Sequence, residues 1–185
     1  MASGWNRIAK RIRVPLGFIF AVVFLWLARP TPKFLVLSLI LVLPGLWLRG
    51  YASGYVKKNA ELTTTGPYAH TRNPLYLGSM MIAFGFALAA RSLWIAGILA
   101  ILFAVIYIPV IRSEEEFLRS AFPNFDQYAA AVPRLLPRLV PAKGTNSDRG
   151  QFSAALYRKH REYNALIGAA SMYAALILKL VFLNK

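Results

Sequence analysis

Cysteine is absent from this chain, which excludes disulfides, zinc ribbons and thiol catalysis. Histidine is almost absent. His70 and His160 stand too far apart to match any metal-ligand spacing, so no metal is expected. No Gly-x-Gly occurs, and with it goes the glycine-rich nucleotide loop of a soluble Rossmann domain. Acidic residues are scarce as well: seven Asp and Glu stand against 22 Lys and Arg, a formal charge of +15. Such basicity can signal nucleic acid. Here the charges lie between apolar runs and not along one face, so no nucleic-acid partner is expected.

What the chain has in abundance is hydrocarbon: 57% of its 185 residues are hydrophobic and 14% aromatic. Five apolar segments read as membrane helices: Val14–Ala28, Phe34–Leu48, Leu75–Ala90, Ser92–Ile111 and Ala165–Leu183. The first two fall short of the ~20 residues that cross a bilayer core. They read as a helical hairpin over 14–48 whose flanking residues complete the span. Lys179 near the end of the last segment can snorkel toward the interface. The fold class is therefore all-α, a polytopic membrane helix bundle of about five transmembrane helices forming one domain over 1–185. A cleaved signal peptide competes for the N-terminus, but no small-x-small site follows and a second apolar segment comes at once.

Seventeen of the Lys and Arg residues flank one set of helix ends, and only Arg29, Lys33, Arg91 and Lys185 flank the other. The positive-inside rule then sets the N-terminus in the cytoplasm and the C-terminus outside. The expected location is a prokaryotic inner membrane. Pro44 and Gly45 interrupt the second helix. Gly78, Gly85, Gly97, Gly168 and Ala169 suit close helix packing in lipid. Residues 133–163 read as a Pro-rich, then polar connector, followed by a basic amphipathic stretch on the membrane surface.

Two polar clusters remain on the basic side. One is "GPYAHTRNPLYLG", residues 66–78; the other is "RSEEEFLRSAFPNFDQYAAAVPRLLPR", residues 112–138. Taken singly, each has an ordinary reading. Gly66-Pro67 and Asn73-Pro74 are turn formers, with Asn73 an N-cap and Pro74 the first helical residue. Glu114 to Glu116 open an amphipathic helix whose Phe117, Leu118, Phe122 and Phe125 face the membrane. Taken together, the short hairpin between the third and fourth helices brings the clusters side by side. A loop with an arginine and tyrosines then faces several carboxylates at the interface, a pocket suited to a charged, zwitterionic ligand.

The pair of segments resembles the isoprenylcysteine carboxyl methyltransferase family and is similar to the phospholipid N-methyltransferases. The resemblance rests on Gly-x-Tyr, Arg-Asn-Pro and x-Tyr-x-Gly, then on Glu-Glu-x-x-Leu and Val-Pro, over residues 60–138. It implies an integral membrane methyltransferase that uses S-adenosylmethionine bound on the cytoplasmic face. By this resemblance Tyr68, His70, Asn73, Pro74, Tyr76 and Gly78 form the cofactor pocket. Glu114 and Glu115 contact its ribose or ammonium, with Glu115–Glu116 an alternative register and Arg134 a further candidate. Arg72 and Glu115 are the candidate catalytic residues, Arg72 beside the acceptor. The acceptor is a membrane lipid or lipidated substrate, either an isoprenylcysteine carboxylate or a phospholipid amine. A non-enzymatic lipid-binding module and a membrane reductase are the rival classes.

Overall fold

The computed structural model describes residues 20–57, 61–142 and 150–182, and every regular element among them is helical. The first predicted helix lies partly outside the described residues; its described part, α1, is helical over 20–27. After the link at 28–31, α2 runs Pro32–Ser53, about 33 Å at the usual rise. Thr31 is extended at its N-cap and Pro32 occupies the first position, where no amide is needed. The flanking residues do complete this span, and the helix runs on through Pro44.

Helix α3, Pro74–Ala90, returns alongside α2 and ends where Arg91 takes a left-handed conformation, φ 52°. Ser92 restarts the chain, its hydroxyl accepting the Ile95 amide. The next helix, α4, differs from the expectation of a span ending at Ile111: it runs Leu93–Ala121 without a break. A helix need not stop where the hydrocarbon stops, and residues 112–121 are good helix formers. Within α4, Phe103–Tyr107 form a π-turn. Pro109 has no N–H to give the carbonyl of Val105, and the wider turn relieves that mismatch. Beyond it come the short helices α5, Phe125–Ala131, and α6, Ala154–Lys159, and then α7, Tyr163–Phe182.

Three of these helices, α2, α4 and α7, are long and apolar enough to cross a membrane, and α3 is a shorter apolar helix. The protein is thus a polytopic helical membrane protein. Phe24, Val42, Phe86, Ile95 and Leu176 meet at its centre. At the tight-link end, the Arg29 amide donates to Ala90 O at 2.8 Å and ties the two short links together. Lys179 does more than snorkel. Its Nζ donates to Leu25 O at 2.5 Å and Trp26 O at 3.1 Å, carbonyls that the end of α1 would leave unpaired. Lys179→Met is therefore expected to cost about 1.5–3 kcal/mol, the worth of hydrogen bonds from a charged donor. Thermal unfolding in detergent measures it; an unchanged midpoint would dismiss the capping role.

The α2–α3 seam is closed by glycine. A Cβ on Gly45 would stand 2.9 Å from Gly78 O, and one on Gly78 would stand 2.8 Å from Gly45 O. Gly85 meets Val42 in the same way, at 2.6 Å. Gly97 and Gly168, grouped with these in the sequence reading, have open space instead.

Candidate active site

The opposite end of the bundle carries the polar clusters. Gly66–Ala69 make one 3-10 turn, and Gly66 is suited to it twice over: its φ is 59°, and a Cβ there would stand 2.5 Å from the Tyr55 ring. The Pro-rich stretch then clamps the turn along its length. Arg72 N donates to Pro133 O at 3.0 Å, Arg138 N to His70 O at 2.9 Å, and Ala142 N to Ala69 O at 2.9 Å. Thr71 adds Oγ1 bonds to the carbonyls of Arg134 and Leu135. Beneath the clamp, Leu62, Phe125, Tyr128 and Val132 form a second small core, joined by Leu118 and Phe122. This corrects the expectation that the phenylalanines face the membrane. Phe125 is fully buried and Phe122 packs beside it, while Phe117 is exposed.

Successive helix residues point about 100° apart, so Glu114, Glu115 and Glu116 cannot share a role. Glu115 is buried at 4% exposure, whereas Glu114 and Glu116 are exposed. The Glu115 carboxylate is filled by internal donors. Oε1 accepts from Arg72 Nε at 2.9 Å and Asn73 Nδ2 at 3.5 Å; Oε2 accepts from Arg134 Nη2 at 2.8 Å and Nε at 3.0 Å. Arg72 gives its Nη1 to Ala129 O and Val132 O, at 2.6 and 2.9 Å. Glu114 instead accepts from the Tyr76 hydroxyl at 2.9 Å.

Asn73 does occupy the N-cap of α3, but its side chain does no capping. Its Nδ2 goes to Arg134 O at 2.9 Å and so ties the helix start to the clamp. Tyr128 Oη donates to Tyr68 O at 2.8 Å. Burial pushes both phenols well above the ordinary tyrosine range, so they stay protonated and neither is a base near neutral pH.

These residues surround one cavity of about 430 Å³, within the range of small-molecule sites. Tyr68, Arg72, Asn73, Pro74, Tyr76, Glu114 and Glu115 all line it. The other two predicted pocket residues do not. Gly78 sits in the α2–α3 seam, and His70 holds Arg138 O through Nδ1 at 2.8 Å on the exposed side of the clamp. The wall also holds residues that sequence reasoning passed over: Arg49, Thr63, Ser79, Tyr107 and Glu162. Arg49 reads in sequence as one of many topology charges. In space its Nη2 meets Glu162 Oε1 at 2.9 Å, and its Nη1 reaches Leu75 O and Ser79 Oγ. Tyr107 stands edge-on to Tyr76 with ring centres 5.6 Å apart, placed there by the π-turn.

The cavity's charge can be read residue by residue. Among the described lining residues, Arg49, Lys57 and Arg72 each pair with a carboxylate, of Glu162, Glu61 and Glu115 respectively. Glu114 is a further acid in the wall, and Arg134, bound to the second oxygen of Glu115 from outside the lining, offsets it, so the two signs of charge are matched around the described cavity. The Thr63 hydroxyl is buried there and has no hydrogen-bond partner among the described residues. Among those residues no group of His, Asp and Glu is arranged to hold a metal ion.

Comparison with known proteins agrees with the motif reading. Residues 33–124 match the family model described as phospholipid methyltransferase. The chain is 41% identical over 102 residues to the cobalt-zinc-cadmium resistance protein CzcN of Cupriavidus metallidurans. That match covers 55% of this chain and 46% of the relative. It is 45% identical over 94 residues to the nickel-cobalt-cadmium resistance protein NccN of Alcaligenes xylosoxydans xylosoxydans, covering 51% and 43%. The match thus spans a little under half the length of either relative. No solved structure matches the chain.

Proposed function

We propose, from the premise that residues 33–124 are a phospholipid methyltransferase segment, that the protein transfers a methyl group from S-adenosylmethionine to a lipid at the membrane surface. The observation that carries this is the convergence of the two motif segments on one cavity at the polar end of the spans. The residues present suit the cofactor. The buried Thr63 hydroxyl has no hydrogen-bond partner among the described residues and can take a polar ligand atom, and the exposed Glu114 carboxylate, in no ion pair among those residues, favours a ligand bearing a sulfonium and an ammonium. Glu114 and Tyr76 would hold the cofactor's polar end, beside the Tyr107 ring that is itself stacked on Phe103 at 5.1 Å. When bound, S-adenosylmethionine supplies an electrophilic methyl group.

The chain's own work is to position and to dry the site. Arg72, Glu115 and Arg134 act on this reading as positioning residues, since their polar groups are engaged with one another and with backbone carbonyls. The same Glu114 carboxylate favours an amine acceptor over an isoprenylcysteine carboxylate. Every cation in the described wall already has a carboxylate partner, so a second anion would have to displace one.

Incubating the purified protein with methyl-labelled S-adenosylmethionine and a membrane lipid extract tests the proposal. A labelled lipid is expected, and its mass spectrum separates an N-methyl amine from a methyl ester; no transfer to any lipid would reject it. Glu114→Gln should weaken S-adenosylmethionine binding about tenfold, roughly 1.4 kcal/mol, by calorimetric titration. Because Glu114 is exposed, the unfolding midpoint should stay put. An unaltered titration would remove Glu114 from the cofactor site.

A further inference from the structure

A second cavity of about 370 Å³ lies on α2 and α7, at the same end of the bundle. Its walls are apolar and aromatic: Leu46, Trp47, Tyr51, Phe152, Tyr157 and Leu166. The rings are ordered, Trp47 stacked on Tyr51 at 5.1 Å and Tyr51 on Phe152 at 5.9 Å. Gly50 forms the floor, where a Cβ would touch the Tyr157 ring at 3.4 Å. The segment carrying Phe152 and Tyr157 is docked on the end of α2. Ser153 N donates to Gly54 O at 2.9 Å, and His160 Nδ1 to Ser53 O at 3.0 Å.

Two facts give this groove its occupant. Both α2 and α7 are membrane spans, and Trp47 is 65% exposed, so the groove opens to hydrocarbon. Glu162 lines this groove and the candidate active site alike. The two cavities therefore share a wall made by the Arg49–Glu162 ion pair. Glu162 is set there by Arg161, whose left-handed turn at φ 54° separates α6 from α7. Side-chain exposures of 24% and 12% make this pair a partly covered one. A polar pair between an oily groove and a polar cavity suits a lipid whose chain stays in the groove while its headgroup passes inward.

We propose that the α2–α7 groove is the lateral inlet for the acyl chain of a membrane lipid, and that Arg49–Glu162 is the latch its headgroup displaces to reach the cavity. The residues concerned on α6 and α7 lie outside the family-matching segment. The claim that the lipid is then methylated rests on the function proposed above; the claim that it binds does not.

The test uses the full chain in bilayer discs of phosphatidylethanolamine and phosphatidylglycerol. The discs carry a phosphatidylethanolamine probe with a photoactivatable diazirine in its acyl chain, and cross-linked residues are read by mass spectrometry. Label should concentrate on Trp47, Tyr51 and Phe152. It should fall several-fold in Gly50→Leu, which fills the floor, while label on the exposed Ile108 of α4 is unchanged. With a second phosphatidylethanolamine probe that carries the diazirine on its headgroup, Glu162→Ala should raise label on Ser79 inside the cavity. Uniform labelling, or groove labelling that ignores Gly50→Leu, overturns the inlet; Ser79 label that does not rise overturns the latch. Binding of S-adenosylmethionine is titrated separately. Its failure removes the cofactor reading and leaves the labelling pattern standing, and uniform labelling does the reverse.

Discussion

Glu115→Ala is expected to lower the stability of the polar cap by about 3–5 kcal/mol, the cost of removing one partner from a buried ion pair. Glu115 is one carboxylate serving two guanidiniums and an amide. Without it Arg72, 11% exposed in its side chain, keeps a charge among backbone carbonyls with no counterion. Arg134 suffers less, because it is 48% exposed and can turn to water. The loss should be local: amides of residues 66–73 and 128–138 should exchange faster, while those of α2 and α3 keep their protection. Hydrogen exchange read by mass spectrometry measures this, and Glu116→Ala is the exposed control. Protection equal to wild type in Glu115→Ala would mean that the node does not hold the cap. The double variant Arg72→Met with Glu115→Leu separates structure from function. An apolar pair of similar size often restores stability, yet methyl transfer should not return if these groups also position the reacting lipid and cofactor.

Gly78→Leu should also destabilise the protein, by a different route. The α2 and α3 backbones approach so closely at Gly45 and Gly78 that each glycine's missing Cβ is filled by the other's carbonyl. Adding a side chain at Gly78 forces the helices apart and pushes on Arg49, whose Cγ would lie 2.7 Å from the new Cβ. Overpacking of this kind costs about 1–3 kcal/mol. Here it also carries Arg49 away from Glu162 and Ser79, so the cavity wall moves with the seam. Gly97→Ala is the matched control. Gly97 faces open space, and alanine there should gain up to about 1 kcal/mol of helix propensity. Unfolding in detergent with graded denaturant compares the two. Equal midpoints for Gly78→Leu and Gly97→Ala would show that the seam is not tight.

A good deal of this protein is legible along the chain, because the bilayer imposes a local rule. Backbone groups in hydrocarbon must be satisfied within the segment, so long apolar runs are helices wherever they fall. Arg-Asn-Pro before an apolar run marks a helix start for equally local reasons: Pro74 needs no donor at the first position. The two polar clusters and their meeting at one end follow from a hairpin too short to send them elsewhere. The end of α4 was not legible. Hydropathy stops at Ile111, but helix formation is indifferent to that boundary and carries Glu114 to Glu116 onto the same rod.

What sequence could not choose was the partner of each charge. Three consecutive glutamates look equivalent in a string; only the rotation of the helix turns Glu115 inward, Glu114 toward Tyr76 and Glu116 to the surface. Arg49 and Glu162 are separated by 113 positions and meet only because α7 returns beside α2. Composition, spans and motif segments were thus determined by the sequence alone, through forces that act within a few turns of helix. The cavity, the pairing of its charges and the Arg49–Glu162 contact beside the aromatic groove were decided by tertiary structure. Ion pairs are chosen by distance in space, and that distance is set by how the helices pack.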